Sequence, residues 1–205
     1  QYQSGGRTVA VYPTPTVGMV GVLADIERHA TMSFKREGDA VLLLGQNTAE
    51  LGACEYLARV HGLESGRPPV LDLHREKTLQ DALVALIGRG LCDSAHDLSE
   101  GGLAVALAEM ALTGRRGARL TLNDGIRPDA LLYGEAQSRV VVAVEPRRLQ
   151  EAAGLLRQYA VPFTSLGTVT GEGLELSLPA HGKHLYWNLA DLRRAYETPL
   201  AEALA

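Results

Sequence analysis

The sequence lacks the features that mark a secreted, membrane-bound or nucleic-acid-binding protein. Only two of its 205 residues are cysteine, and Cys54 and Cys92 form neither a CxxC pair nor a metal-binding cluster, which indicates a reduced, cytoplasmic protein. No apolar run approaches the roughly 18–20 residues of a membrane span, and the N-terminus has no signal-peptide hydrophobic region. The net charge of −4 disfavours binding to nucleic acid, which usually needs a basic face.

Several common catalytic motifs are also absent. The sequence contains no Walker phosphate loop, no GxGxxG dinucleotide motif and no GxSxG nucleophile motif. His181 and His184 form an HxxH pair without a third ligand in register, so a solvated loop is the better interpretation than a metal site.

What is present is a mixture of strand and helix patterns in a chain of globular composition, with 46% hydrophobic and 21% charged residues. The first six residues, polar and rich in glycine, are expected to form a loop. Strands are predicted at residues 7–12, 17–23, 40–44, 91–95, 118–122, 139–144, 163–169 and 174–178, the last two joined by a hairpin turn at 170–173. Helices are predicted at residues 51–61, 73–89, 103–112, 147–159 and 189–196.

The order of these elements predicts an α+β or layered α/β domain, in which a mixed β-sheet packs against helices. Three strands precede the first clear helix and a hairpin comes late, which argues against the alternation of a Rossmann fold. The run at 139–144 is apolar enough to be buried on both faces of the sheet.

One stretch, CDSAHDLSEGGL at residues 92–103, joins a predicted strand to a predicted helix and admits two interpretations. Asp97 and Glu100 fit a capping box at the start of the helix. Gly101 and Gly102 do not fit that interpretation, because each glycine costs about 1 kcal/mol inside a helix relative to alanine. Paired glycines would allow close approach of another backbone or of a ligand, and exposed N–H groups beside carboxylates suit a metal-bridged phosphate.

A second stretch, YGEAQSR at residues 133–139, enters the apolar strand. It is either a turn followed by a polar strand start, or it places a carboxylate (Glu135) and an amide (Gln137) at the mouth of a sheet, where ligands often bind. The residues alone leave both interpretations open.

Together with YPTPTVGMVG at residues 12–21, these stretches resemble the phosphoribosylformylglycinamidine synthase family. The similarity is carried by ATMSFKREGDAVLLLG at 30–45, HDLSEGGLAVALAEMAL at 96–112 and GEAQSRVVV at 134–142. It covers residues 11–144 with the motifs in the family's order, and the remainder less distinctly.

The resemblance implies part of a ligase that converts formylglycinamide ribonucleotide, ATP and ammonia into formylglycinamidine ribonucleotide, ADP and phosphate. Members of the family hold two pairs of A-type and B-type domains, and this chain resembles the second B-type domain, with the fold of the AIR synthetase C-terminal domain. Residues 1–16 are then a linker and strand leading from an A-type domain outside this sequence, and residues 17–205 are the B-type domain. The absent initiator Met agrees with a fragment, which is expected to be inactive alone.

The family's motifs also imply site residues, which here would belong to a second, pseudo-symmetric and non-catalytic copy of the site. Asp97 matches a magnesium ligand of the first copy, whereas Ala136 stands where the first copy usually has Ser and so departs from a substrate contact. No residue of this chain is expected to be catalytic, because the family's catalytic His and most ATP contacts belong to A-type segments. The candidates for the rim of a nucleotide or substrate site are Ser99, Glu100, Gly101, Gly102, Glu135, Gln137 and Ser138.

The resemblance further implies Mg²⁺ and ATP as cofactors of the whole enzyme, and none required by this chain alone. The sequence ends near the point where the long form of the enzyme continues into a glutaminase domain, which implies the short form. The partners would then be the A-type domains of the same chain, a separate glutaminase subunit that supplies ammonia and a small third subunit.

Two alternatives stay open. The first is another member of the superfamily: AIR synthetase, thiamine-monophosphate kinase, selenophosphate synthetase or the hydrogenase maturation factor, whose C-terminal Cys is absent here. The second is a stand-alone, non-enzymatic interaction module.

Overall fold

The computed structural model of the protein describes residues 2–10 and 16–204. Nine strands and six helices are found in these ranges. The strands are β1 (Tyr2–Ser4), β2 (Arg7–Val9), β3 (Ala40–Leu44), β4 (Ser94–Asp97), β5 (Gly117–Thr121), β6 (Val140–Val144), β7 (Phe163–Thr170), β8 (Gly173–Leu178) and β9 (Lys183–Asn188). The helices are α1 (Glu55–His61), α2 (Leu73–Gly88), α3 (Gly102–Gly114), α4 (Pro128–Tyr133), α5 (Leu149–Gln158) and α6 (Leu189–Ala203). None of the helices in these ranges has the length and apolarity needed to cross a bilayer.

The centre of the fold is a pair of strands, β3 and β6, that are buried on both faces. All five residues of each strand are buried, as the apolar run at 139–144 predicts. Val41 and Leu43 of β3 pack into a core with α3 and α4, whereas Leu42 and Leu44 pack into a second core with α2 and α5. Helices therefore cover both faces of this part of the sheet, and the prediction of a layered, mixed-sheet domain is confirmed.

The main sheet has seven strands in the order β4-β6-β3-β7-β5-β8-β9. The β5–β8 pair is parallel, and the other pairs are antiparallel. This order shows that the predicted hairpin of β7 and β8 is wrong, because β5 lies between the two strands. The link between them crosses the start of β5, where a Cβ on Gly117 would lie 1.8 Å from the carbonyl oxygen of Gly173. The hairpin partner of β8 is β9, a strand that the sequence analysis did not predict.

The N-terminal residues form a hairpin rather than the predicted loop. β1 pairs with β2 in a separate antiparallel sheet, and Gly5 and Gly6 form the turn with φ angles of 57° and 75°. Positive φ at both central positions is what a type I′ hairpin turn requires, so the Gly-Gly pair was the available signal. The predicted strand at 7–12 is confirmed for Arg7–Val9, while residues 11–15, with the Pro-Thr-Pro segment, lie outside the described residues.

Three further elements differ from the predictions. Residues 17–23 have no regular secondary structure instead of forming a strand. The helix predicted at 189–196 continues through Pro199, whose side chain is exposed, to Ala203. The short helix α4 was not predicted, although Pro128 at its first turn is a common helix start.

Candidate functional site

The two glycine-containing motifs of the sequence meet at one end of the sheet. β4 and β6 are antiparallel neighbours, with Asp97 opposite Val140, and the Leu98 amide donates to the carbonyl oxygen of Arg139 at 3.1 Å. The loop that leaves β4 (98–101) and the loop that enters β6 (134–139) therefore lie side by side. This arrangement places the two motifs next to each other in the fold.

Of the two interpretations of the stretch at 92–103, the structure excludes the capping box. Asp97 is the last residue of β4, and α3 begins only at Gly102, with Gly101 as an N-cap that offers no side chain. Asp97 is exposed at the end of β4, and Ser99 and Glu100 are exposed on the loop that follows. The Ser99 hydroxyl donates to the Asp97 carboxylate, and this hydrogen bond holds the pKa of Asp97 below its ordinary value.

Glu135 takes the place of the missing cap. One carboxylate oxygen, Oε1, accepts from the backbone amide of Gly101 at 2.8 Å and from that of Glu55 at 2.9 Å. These amides lie at the N-termini of α3 and α1, where unpaired N–H groups and the helix dipole both favour a negative charge. The half-buried Glu135 thus joins two helices, a structural role that the spacing in the sequence did not reveal.

The glycine pair has a structural reason as well. Gly101 and Gly102 have φ angles of 80° and 65°, a region that other residues rarely adopt. A Cβ on Gly102 would lie 2.5 Å from the carbonyl oxygen of Gly134 and 2.9 Å from the carbonyl carbon of Tyr133. Of the two explanations that the sequence left open for this pair, the structure therefore shows close approach of another backbone.

Arg139 holds the loop at 134–138 in shape from within. Its side chain is 3% exposed, and its guanidinium donates to the carbonyl oxygens of Gly134 (2.6 Å) and Ala136 (3.1 Å) and to Asn47 Oδ1 (3.1 Å). Burial lowers the pKa of Arg139 to about 10, so the side chain stays charged at neutral pH. Sequence reasoning treated this residue only as a polar strand start and missed its role.

Gln137 and Ser138 face a different feature, a cavity of about 570 Å³ beside the N-terminus of α2. Gln137 is exposed at this cavity, and the Ser138 hydroxyl donates to Glu76 Oε2 at 2.6 Å. His74 and Arg75 line the same cavity. Its volume is within the range of small-molecule sites, and the predicted rim residues are thus divided between this cavity and the loop after β4.

The described residues do not fit a self-contained magnesium site. Within residues 2–10 and 16–204, no group of three or more His, Cys, Asp or Glu side chains is arranged to hold a metal ion. Asp97 is a single carboxylate, and a metal bound there would need oxygen ligands from phosphates or from outside these residues. The HxxH pair is not a joint site either, since His181 bonds to the carbonyl oxygen of Ile126 at 2.7 Å and His184 approaches Glu175 at 3.5 Å.

Comparison with known proteins assigns this fold and these motifs to a family. The sequence profile of the AIR synthase related proteins, C-terminal domain, matches residues 36–178. The chain belongs to this family. The matched range begins just before β3 and ends with β8, so it contains both motifs and all but the last strand of the main sheet.

Curated relatives of the chain are the PurL subunits of phosphoribosylformylglycinamidine synthase. The subunit from Deinococcus radiodurans is 45% identical over 98% of this chain and 28% of its own length. The subunit from Thermus thermophilus is 45% identical over 98% of this chain and 27% of its own length, and that from Alkaliphilus metalliredigens is 47% identical over 82% and 23%. The chain therefore spans about a quarter of the length of these relatives.

Solved structures share the fold. PurL from Thermotoga maritima complexed with FGAR matches with a TM-score of 0.69 and 19% identity, over 82% of this chain and 30% of that chain. The hydrogenase maturation protein HypE matches with a TM-score of 0.54 and 19% identity, over 77% of this chain and 54% of that one. At such low identities these likenesses show the fold alone, which is that of the AIR synthase related family, as the sequence motifs predict.

Proposed function

We propose that this chain is the C-terminal, second B-type domain of a phosphoribosylformylglycinamidine synthase. The whole enzyme would convert formylglycinamide ribonucleotide, ATP and ammonia into formylglycinamidine ribonucleotide, ADP and phosphate. The observation that carries this proposal is the 40–47% identity to PurL subunits over 82–98% of the chain. That similarity extends beyond residues 36–178, the range that the family profile matches.

In this proposal the chain supplies the rim of a nucleotide or substrate site and no catalytic group. Ser99 and Glu100 lie exposed on the loop after β4, and Gln137 lies exposed on the loop before β6. Glu135 joins the two loops by accepting from the Gly101 amide. Gly102 allows the start of α3 to pack closely against the backbone of residues 133–134. Exposed polar groups on loops that are fixed by hydrogen bonds and close packing are suited to contact a ligand held mainly by another domain.

The remaining parts of the proposal concern the whole enzyme. It would act in the cytoplasm, use ATP with Mg²⁺, and take ammonia from a glutaminase subunit with the help of a small third subunit. Activation of the amide oxygen by phosphoryl transfer, followed by displacement by ammonia, is the chemistry that such a ligase performs. Asp97 would serve a metal only together with ligands from other segments, so no step is assigned to it, and the 205-residue chain alone would not turn over.

Genetic complementation tests the proposal. The complete native coding sequence that contains this chain is expressed, together with the glutaminase subunit and the small third subunit of the same organism, in two bacterial strains that require purines, one lacking formylglycinamidine synthase and one lacking AIR synthetase. We expect growth without purines in the first strain and not in the second. Growth of the AIR synthetase strain alone would establish the superfamily alternative, and growth of neither strain, with the protein present in both, would contradict ligase function.

Rim variants test the assignment of the candidate residues. We expect Glu100→Ala and Gln137→Ala, both at exposed positions, to leave the unfolding temperature unchanged. Turnover should fall by less than about tenfold, equivalent to about 1.4 kcal/mol, because this copy of the site is proposed to be non-catalytic. A loss of turnover well beyond tenfold, in a variant that is folded, would show that the chain contributes a catalytic group.

A further inference from the structure

Residues 17–26 form an apolar segment that the folded body leaves in solvent. Met19, Val20 and Val22 are 91%, 102% and 97% exposed. Val17, Leu23 and Ile26 are each more than half exposed. Single exposed apolar residues are ordinary, but a contiguous run of this kind marks a surface that another element covers.

The segment has no partner among the residues that the structure describes. Residues 17–23 take part in none of the strand pairs and none of the described backbone hydrogen bonds. The body of the domain begins after them. Thr31 forms a parallel bridge to Ser94 at the β4 edge of the sheet, and the Arg28 guanidinium lies so close to Gly90 that a Cβ there would be 2.1 Å from Nη1.

The sequence of the segment is that of a strand buried on both faces. In an extended chain, Val17, Met19 and Leu23 share one face, while Val20 and Val22 share the other. Both faces are therefore apolar, as in strands that are covered on two sides. Seven residues would span about 23 Å, long enough to pair along the whole edge of a typical sheet. The pattern that predicts a strand is thus intact, and what the described residues lack is its partner strand.

We propose that residues 17–23 form a strand at the edge of a sheet in a neighbouring domain of a longer chain. This inference rests on the proposed function, in which the chain is part of a PurL-like protein. The segment lies outside the C-terminal domain profile, which starts at residue 36. It lies inside the match to the Deinococcus radiodurans PurL subunit, which covers 98% of this chain and 28% of that subunit. This relative therefore contains the segment, and nearly three quarters of its own length lies outside the match. The domain boundary then falls between residues 23 and 31 rather than at the expected position after residue 16.

Hydrogen–deuterium exchange of the complete native protein tests this inference. We expect the amides of residues 17–23 to exchange at least about 100-fold more slowly than a free peptide, independently of protein concentration, because they are paired. The double variant Val20→Asp/Val22→Asp should remove this protection. Val84→Asp is the matched control, because Val84 is 71% exposed on α2 within the body of the domain, and it should leave the protection unchanged. If the double variant does not fold, the milder Val22→Thr should lower the protection by a smaller factor.

Three results would overturn the inference. The segment could exchange at the rate of a free peptide in the complete protein. Its protection could disappear on dilution together with dissociation of a dimer, which would make a second copy the occupant. The native protein could consist of these residues alone. Ligase activity measured on the same preparation separates the two proposals: activity with an unprotected segment refutes the strand, whereas a protected segment without activity refutes the proposed function.

Discussion

Replacing Glu135 with Ala should destabilise the domain more than the loss of an ordinary half-exposed carboxylate. The change removes one oxygen that accepts from Gly101 N at 2.8 Å and from Glu55 N at 2.9 Å. Hydrogen bonds to charged groups contribute about 1.5–3 kcal/mol each when buried, and loss of a helix cap costs about 0.5–2 kcal/mol. Because Glu135 is half-buried, about 1–1.5 kcal/mol for each bond is appropriate, or about 2–3 kcal/mol in all.

Thermal unfolding followed by circular dichroism measures this effect. For a domain of this size, 1 kcal/mol corresponds to about 2–4 °C, so the unfolding temperature of Glu135→Ala should fall by about 4–12 °C. Glu135→Gln keeps an oxygen acceptor and loses only the charge, so it should lose less than half as much. Glu151→Ala, at an exposed position on α5, controls for the general removal of a glutamate. An unfolding temperature of Glu135→Ala within about 2 °C of the wild type would refute the argument that this carboxylate joins two helices.

Four further outcomes are expected. Gly102→Ala should destabilise by about 2–4 kcal/mol in urea unfolding, because its Cβ would meet a carbonyl oxygen at 2.5 Å and its φ is 65°; an unchanged midpoint would contradict this. Asp97→Ala should shift the unfolding temperature by less than about 2 °C, since it caps no helix. Burial alone would raise the pKa of Asp93, but its hydrogen bonds and charge pairing with Arg36 outweigh burial and lower the pKa. The stabilisation that the ionised Asp93 provides is therefore present above about pH 4 and is lost as the pH falls further. Asp93→Asn should show a smaller loss of stability between pH 7 and pH 3 than the wild type. Burial raises the pKa of Cys92 to about 11, so this thiol should resist iodoacetamide at pH 8 until the protein is unfolded, and rapid labelling of the native protein would contradict its burial.

The sequence predicts the centre of this fold well because the local pattern and the tertiary environment agree there. The apolar runs that became β3 and β6 are buried on both faces, and α2 follows the spacing of its leucines, with Asp72 as its N-cap and Arg89 as its C-cap. At these positions period, propensity and burial all favour the same structure.

The pairing of strands was less accessible to sequence reasoning. A two-residue link between β7 and β8 is typical of a hairpin, but β5 lies between these two strands. The link passes close over Gly117, the first residue of β5, which has no side chain to block it. The pairing of β5 with β8 joins residues more than fifty positions apart, such as Ala118 and Leu174. A local sequence pattern does not predict such a pairing.

The candidate site shows the same division. The two motifs were found from the sequence, and the structure brings them side by side at the ends of β4 and β6. The roles of single residues within the motifs were not predicted. Glu135, not Asp97, accepts from the amide at the start of α3, and Arg139 is buried beneath the loop at 134–138. The amides that bond to Glu135 lie far away in sequence, at the starts of α1 and α3, and the burial of Arg139 depends on tertiary packing, so spacing along the chain identifies neither role.

The most direct test of the central claim is a turnover assay of the complete native protein with formylglycinamide ribonucleotide, ATP and ammonium chloride. We expect formylglycinamidine ribonucleotide and ADP to form in equal amounts, and omission of ammonia or of formylglycinamide ribonucleotide to abolish the formation of both. ADP formation with formylglycinamidine ribonucleotide as the substrate, and none with formylglycinamide ribonucleotide, would contradict the proposed activity and assign the chain to a different ligase of the same family.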